Sequence, residues 1–457
     1  MQNRIFRFLR PGFGAALAIL MLLTAGCAPA SVGGGPLLAA PSYPKMAPYP
    51  NESEYIHPFT GEYDDEGFRQ VYDAWWEDQK KQRNQPEGYS EGLPEFFADS
   101  MTVILDTETE NTVCSPLNVY MALVMLAETA GGTSRQQILD ALGGKSLAAL
   151  RTQAGQVWNA HYCADTATTT ILANSLWLEE GLTYTRSTVD TLARDHYASV
   201  FQGDLGSAEM NAALQNWLSE QTDGLLEEQA QGVEMAPETV LALVSTILYR
   251  AKWDGEFLEA FNTEGIFHAP GGDRSATFMN RTMTYGPYFW GTDFAAAYLW
   301  LEDGSRMWLV LPDEGSTPAD ILESGLALDL VFSGGEAYED QKAIQVNLSL
   351  PKFDIAADLR LEQALRELGI TEVFDPLTAD FSAILPEASV WLDKVQHAAR
   401  VAIDEEGVTA AAYTVMMEAG AAAPPEDEVD FVLDRPFLFV ITSRDDLPLF
   451  AGIVNVP

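Results

Sequence analysis

The side chains that most often carry chemistry are thinly spread in this sequence. Its five histidines, His57, His161, His196, His268 and His397, stand far apart, none in a His-Glu-x-x-His helix or beside a cysteine at zinc spacing. Metalloprotease and zinc-ribbon chemistry are therefore not expected, and neither a metal nor any other cofactor is implied. Gly144-Lys145-Ser146 ends like a phosphate loop, but Leu139 stands where the first glycine is required. No serine-hydrolase elbow is expected. His397 shares one phase of an apolar strand with Val395, Ala399, Val401 and Ile403, the pattern of a core histidine satisfied by hydrogen bonds rather than of a catalytic base. What remains is the chemistry of the backbone itself. Asp404-Glu405-Glu406-Gly407 ends a regular strand and is followed by Val408-Thr409-Ala410-Ala411-Ala412-Tyr413-Thr414, small or β-branched residues that suit a strand but sit where a loop belongs.

The elements around this stretch predict where such a strand would go. With 457 residues, 47% of them hydrophobic, the chain has material for a large core, and its net charge of −41 sets a repulsive field against phosphate backbones, so no nucleic-acid partner is expected. Three runs, Thr168 to Leu178, Val240 to Tyr249 and Met307 to Leu311, are apolar or small on both phases, as strands are when a sheet is covered on both faces. Val390 to Ile403 and Ala343 to Leu350 add strands, and Phe437 to Thr442 with Leu449 to Val456 a terminal hairpin.

Helices are predicted from Leu93, from Ser115-Pro116 as cap and first turn, from Thr133 with Gln136 as a capping box, over Ala212 to Leu218, over Thr317 to Leu326, and over Asp358 to Leu368 up to Gly369. Val119 to Ala127 is apolar all round, so that helix must be buried on every side. Helices first and then strands interrupted by helices, without a βαβ rhythm, make an α+β fold.

The N-terminus reads differently. Arg4, Arg7 and Arg10, the apolar stretch Phe13 to Leu23, and Leu23-Thr24-Ala25-Gly26-Cys27 together resemble a bacterial lipoprotein signal over 1–26, with Cys27 as the lipidated residue; a plain secretory signal is the alternative. Residues 27–65, rich in Pro and Gly, suit an extended tether, and 66–92 an accessory helical segment bearing Phe68, Val71, Tyr72, Trp75 and Trp76. Cys114 and Cys163 sit in apolar surroundings and are expected as buried free thiols.

Over 93–457 several segments resemble the serpin family. Asn111-Thr112-Val113-Cys114-Ser115-Pro116-Leu117 is similar to the approach to its buried second helix, and Leu172-Ala173-Asn174-Ser175-Leu176-Trp177 to its third central strand. Leu243 to Trp253 resembles the segment whose tryptophan marks where loop insertion begins, Lys394 to Ala399 the fifth strand, Asp404 to Gly407 the hinge, and Asp434 to Phe439 the closing strand. The resemblance implies an inhibitor, not an enzyme: a protease cuts an exposed loop, here about 405–430, and the loop inserts into the central sheet with the acylated protease attached.

It also implies a large central mixed sheet with further sheets and about eight to nine helices, and roles for residues. Glu405, Glu406, Gly407, Val408, Thr409, Ala410, Ala411 and Ala412 form the hinge, and Ser115, Asn118, Ser245, Trp253 and His397 a cluster controlling sheet opening. Distance from the hinge points to the reactive bond at Ala421-Ala422, flanked by Glu418, Ala419 and Gly420, with Met416, Met417 and Glu418 as alternative cut sites. In an inserted strand Val408, Ala410, Ala412, Thr414 and Met416 share one face and Thr409, Ala411, Tyr413 and Val415 the other. The first set is uncharged; Glu418 lies on the same phase. Small residues at the bond, and no Lys or Arg between Gly407 and Asp434, point to elastase-like or subtilisin-like serine proteases, with cysteine proteases as further partners, met by a monomer outside the cell, on its membrane or secreted. The alternative is a non-inhibitory surface binding or adhesion lipoprotein of the same fold.

Overall fold

The computed structural model describes residues 37–408 and 425–457, apart from 58, 106, 108 and 337. These residues form two sheets and eleven α-helices, more than the eight to nine expected because short helices such as α8 and the pair split at Gly325 leave little periodicity to read. Strands are numbered in chain order. The central sheet runs β1 (Leu37–Ala39), β5 (Ala198–Gly203), β4 (Thr169–Glu179), β6 (Leu241–Lys252), β14 (Gly407–Val408), β13 (Lys394–Ile403) and β12 (Phe353–Arg360), with β3 (Cys163–Ala164) paired to β4. The second sheet runs β15 (Glu428–Val432), β11 (Gln341–Pro351), β8 (Gly272–Gly291), β9 (Phe294–Trp300), β10 (Arg306–Pro312), β16 (Phe437–Thr442), β17 (Pro448–Val454) and β2 (Thr112–Cys114), with β7 (Thr263–Ala269) paired to β8. The helices are α1 (Asp65–Arg83), α2 (Leu93–Ile104), α3 (Pro116–Thr129), α4 (Gly132–Ala141), α5 (Leu147–His161), α6 (Arg186–Asp195), α7 (Ala208–Gln221), α8 (Glu227–Ala230), α9 (Pro318–Ser324), α10 (Leu326–Phe332) and α11 (Glu362–Glu367). No helix among the described residues is long and apolar enough to cross a membrane.

Both faces of the central sheet are covered, which is why β4 and β6 read as apolar or small on both phases. Every residue of α3 is buried, as its all-round apolar sequence requires. On the other face Met210, Leu214, Trp217 and Leu218 of α7 pack on Trp177, Phe201, Ala242 and Val244. Cys114 and Cys163 are free and buried, and burial pushes both thiols up.

Several local expectations are corrected. Thr133 and Gln136 form no capping box: α4 already begins at Gly132, and its N-cap Gly131 makes no side-chain cap bond. Asp380 serves that end instead, its carbonyl accepting the Gly131 amide and its own amide donating to Ser134 Oγ. A Cβ on Gly131 would stand 2.7 Å from the Asp380 carboxylate, so glycine is what lets an acid approach the positive end of the helix.

Asp358 to Arg360 are strand, not helix, because β12 pairs residue by residue with β13 from Phe353 opposite Ile403 to Arg360 opposite Gln396; only Glu362–Glu367 coil, and Gly369 at φ +88° closes them. The helix expected over Thr317 to Leu326 is two, parted at Gly325 in the left-handed region, with Thr317 and Asp320 making a capping box. The strand expected from Val390 begins only at Lys394.

From Leu37 onward the Pro- and Gly-rich segment lies against the body rather than extending away from it. β1 adds antiparallel to β5. Tyr43 stacks on Trp158 at 5.5 Å between ring centres and lies beside Tyr162 and Tyr197, and Met46 Sδ accepts the Ala164 amide. Trp75 of α1 donates to the Ala47 carbonyl. A composition poor in regular structure still supplied isolated aromatic anchors, which window composition does not register.

Candidate functional site

Two groups of side chains meet at the seam between β6 and β13. The lower one is built on the N-terminus of α3. Ser115 caps that helix, its Oγ accepting the Asn118 amide at 3.2 Å. The Ser115 amide donates to His397 Nε2 at 2.9 Å, and His397 Nδ1 lies 2.9 Å from Ser245 Oγ. Because Nε2 accepts, the neutral ring carries its proton on Nδ1 and donates to Ser245. Asn118 Nδ2 donates to the Thr246 carbonyl at 2.6 Å, Asn118 Oδ1 accepts from Asn174, and Thr246 Oγ1 donates to the Ala398 carbonyl at 3.1 Å. One helix end thus ties together β4, β6 and β13. All of these residues are buried, and burial pushes the His397 pKa down to about 4.

In this lower half β6 and β13 pair directly, Lys394 to Ala398 against Ala242 to Thr246, in parallel. In the upper half they do not. There Gly407 and Val408 enter between them, Gly407 opposite Lys252, Val408 opposite Ala251 on one side and Ile403 on the other. Val408 has no exposed surface. A Cβ on Gly407 would stand 2.3 Å from the Ala251 carbonyl oxygen, so only glycine permits the approach.

The turn above this wedge is held by named groups. Asp404 Oδ1 accepts the amides of Glu406 and Gly407. Trp253 Nε1 donates to the Asp404 carbonyl at 2.8 Å, and its amide donates to the Glu406 carbonyl. Lys352 Nζ and Asn262 Nδ2 both converge on Glu405 Oε1 at 2.5 Å. Burial works to raise the Glu405 pKa, but these partners prevail and hold its carboxyl below the ordinary value.

The sequence-predicted residues therefore fall into two places. Ser115, Asn118, Ser245 and His397 meet under the closed half of the seam, whereas Trp253 belongs to the turn above it with Glu405, Glu406, Gly407 and Val408. Thr409 to Ala412, Glu418 to Ala422 and Cys27 lie outside the described residues. Sequence reasoning missed Asn262 and Lys352; each is far from Glu405 in the chain, and the only signal was a lysine between two apolar strands.

One exclusion from the sequence is corrected. Gly88-Tyr89-Ser90-Glu91-Gly92 does have the Gly-x-Ser-x-Gly spacing. No strand feeds it, however: α1 ends at Arg83 and the segment is a series of turns leading into α2. The strand-to-helix elbow that the chemistry needs is not formed there.

Among the described residues the central sheet is thus closed below by the pairing of β6 with β13 and parted above by Gly407 and Val408. The comparisons with known proteins assign the class. The family model for serpins, serine protease inhibitors, matches residues 95–457. Alpha-1-antiproteinase S of Cavia porcellus is 29% identical over 81% of this chain and 92% of its own length, and Serpin B9 of Homo sapiens 27% identical over 79% and 97%. Among solved structures, the thermophilic serpin tengpin in its native state superposes with a TM-score of 0.74 at 23% identity, over 82% of this chain and 96% of that one. A thyroxine-binding globulin in complex with thyroxine gives 0.68 at 20% identity, over 80% and 99%. The chain belongs to the serpin family.

Proposed function

We propose that this serpin is an inhibitor of extracellular serine proteases that works as a suicide substrate, its loop being cut at Ala421-Ala422 and inserted into the central sheet. The observation that carries this reading is Val408, seated without exposed surface between Ala251 and Ile403: the first inserting residue already occupies the place of a new strand. Continuing its phase sends Ala410, Ala412, Thr414 and Met416 toward α3, all uncharged, where burial carries no charge penalty. A new strand gains on the order of 10 ladder hydrogen bonds, each worth about 0.5–1.5 kcal/mol net, which drives the change. Small residues at the bond favour elastase-like and subtilisin-like targets.

On the same reading Cys27 carries a lipid that holds the protein on the outer face of the membrane, with residues 27–36 as the remaining spacer; the signal-like sequence before Cys27 supports this. Metabolic labelling with a fatty acid, abolished by Cys27→Ser, tests the anchor. The inhibitory reading is tested by mixing the chain with a subtilisin-like protease and seeking a complex stable in SDS. Glu418, charged on the inserting phase, is what favours the second reading, a non-inhibitory binding protein; clean turnover of the loop with no trapped enzyme is the result that reading predicts.

A further inference from the structure

The N-terminal segment joins the central sheet at a fixed level. β1 pairs with β5 so that Leu37 lies opposite Phe201; Phe201 lies opposite Trp177 of β4, and Trp177 opposite Ala242 of β6. These residues form one row across the sheet, and Ala242 is next to the first residue of β6, Leu241. β6 runs up toward Lys252 at the hinge, β4 and β5 run down, and β1 runs up again. The chain before Leu37 therefore leaves the sheet at its lower end. β1, β5, β4 and β6 all lie on one side of the seam, so opening the seam leaves this row intact.

The same register fixes where an inserted loop ends. Gly407 stands opposite Lys252 and Val408 opposite Ala251, antiparallel. Continued one for one, Met417 falls opposite Ala242 and Glu418 opposite Leu241, with Ala421 about 10 Å further down. Insertion thus carries the cut bond to the end of the sheet from which the N-terminal chain departs. Between the new strand and β1 lie β6, β4 and β5, so the two are about 19 Å apart at about 4.8 Å per strand spacing. Residues 27–36 reach at most about 36 Å when fully extended, whereas a protease of about 250 residues is about 45 Å across. The gap beneath an anchored chain is narrower than the enzyme that arrives in it. From the shared row of Leu37 and Met417, we infer that the lipid-anchored chain sets its trapped protease down against the membrane: the end that meets the protease faces solvent, and the end that receives it faces lipid. This rests on the insertion and anchoring readings proposed above.

The test uses the full chain, lipidated at Cys27 and seated in phosphatidylcholine vesicles that carry an energy-acceptor dye on some of their head groups. A subtilisin-like protease labelled with the donor is added, and energy transfer is followed beside the SDS-stable band. Transfer that grows in step with the band, from a protease that shows none while free, is the expected result. A band without transfer overturns the proposal and leaves both readings beneath it standing. Deleting residues 29–34 cuts the reach of the remaining spacer to about 14 Å. On vesicles the trapped fraction should then fall several-fold in favour of turnover, while in detergent, where no lipid surface stands in the way, it should equal that of the unaltered chain. For this deletion, an equal trapped fraction on vesicles and in detergent also overturns the proposal. Absence of any SDS-stable band sinks the insertion reading, a chain that does not float with the vesicles sinks the anchoring reading, and the proposal falls with either.

Discussion

Replacing His397 by Gln tests how the seam is closed. The neutral ring accepts the Ser115 amide at Nε2 and donates to Ser245, and burial holds its pKa down at about 4 against an ordinary value of 6.5. An unfolded chain takes up this proton below about pH 6.5, while the folded chain resists it until about pH 4. The unfolded state therefore binds more protons as acid is added. The stability this histidine contributes is complete above about pH 6.5 and is lost as pH falls toward about 4. At about 1.36 kcal/mol per pH unit the loss amounts to about 3 kcal/mol.

Glutamine accepts from Ser115 and donates to Ser245 without titrating. The assay is the first unfolding transition in urea, from about pH 8 to about pH 4.5, for both proteins. His161, which burial also pushes down to about 4, is common to the two and cancels in the difference, as do the carboxylates. The stability of His397→Gln should fall less steeply below about pH 6.5, by up to one proton's slope. Parallel curves would refute the reasoning, because they would mean that His397 is protonated equally in both states.

Three further changes probe the parts around it. Gly407→Ala places a Cβ against the Ala251 carbonyl and should unseat the hinge at a cost of about 1–3 kcal/mol, read as a change in Trp253 fluorescence, since that indole is bonded to Asp404. Glu405→Lys sets two ammonium groups against each other at Lys352; it should lower the first thermal transition by about 4 °C or more, as loss of a charged hydrogen bond does, and hasten spontaneous loop insertion. Tyr43→Ala removes the ring stacked on Trp158 and should expose residues 37–50 to limited proteolysis, with the body cut no faster; equal cutting of both would show that the segment is part of the core.

The parts of the fold that were legible in the sequence are those whose burial is uniform. α3 is apolar on every side because every side is covered, and β4 and β6 are apolar or small on both phases for the same reason. The turn from β13 to β14 was legible because three acids and a glycine interrupt a strand, and Gly407 is required by its approach to Ala251. The docking of β1 and Tyr43 was not, since it depends on a few anchors within a segment whose average composition is that of a linker. The cap of α4 was not, because Asp380 comes from far along the chain and leaves no local spacing to read. For the same reason the clasp of Lys352 and Asn262 on Glu405 was invisible.

The central claim is that the loop beginning at Val408 completes its entry into the sheet with a protease attached. The measurement that bears on it most directly is electrophoresis in SDS after mixing the chain with a subtilisin-like protease, with the cleaved product then heated. The account predicts a band of the summed mass and a cleaved inhibitor that resists heating. Complete cleavage with free, active protease and no gain in heat stability would contradict it.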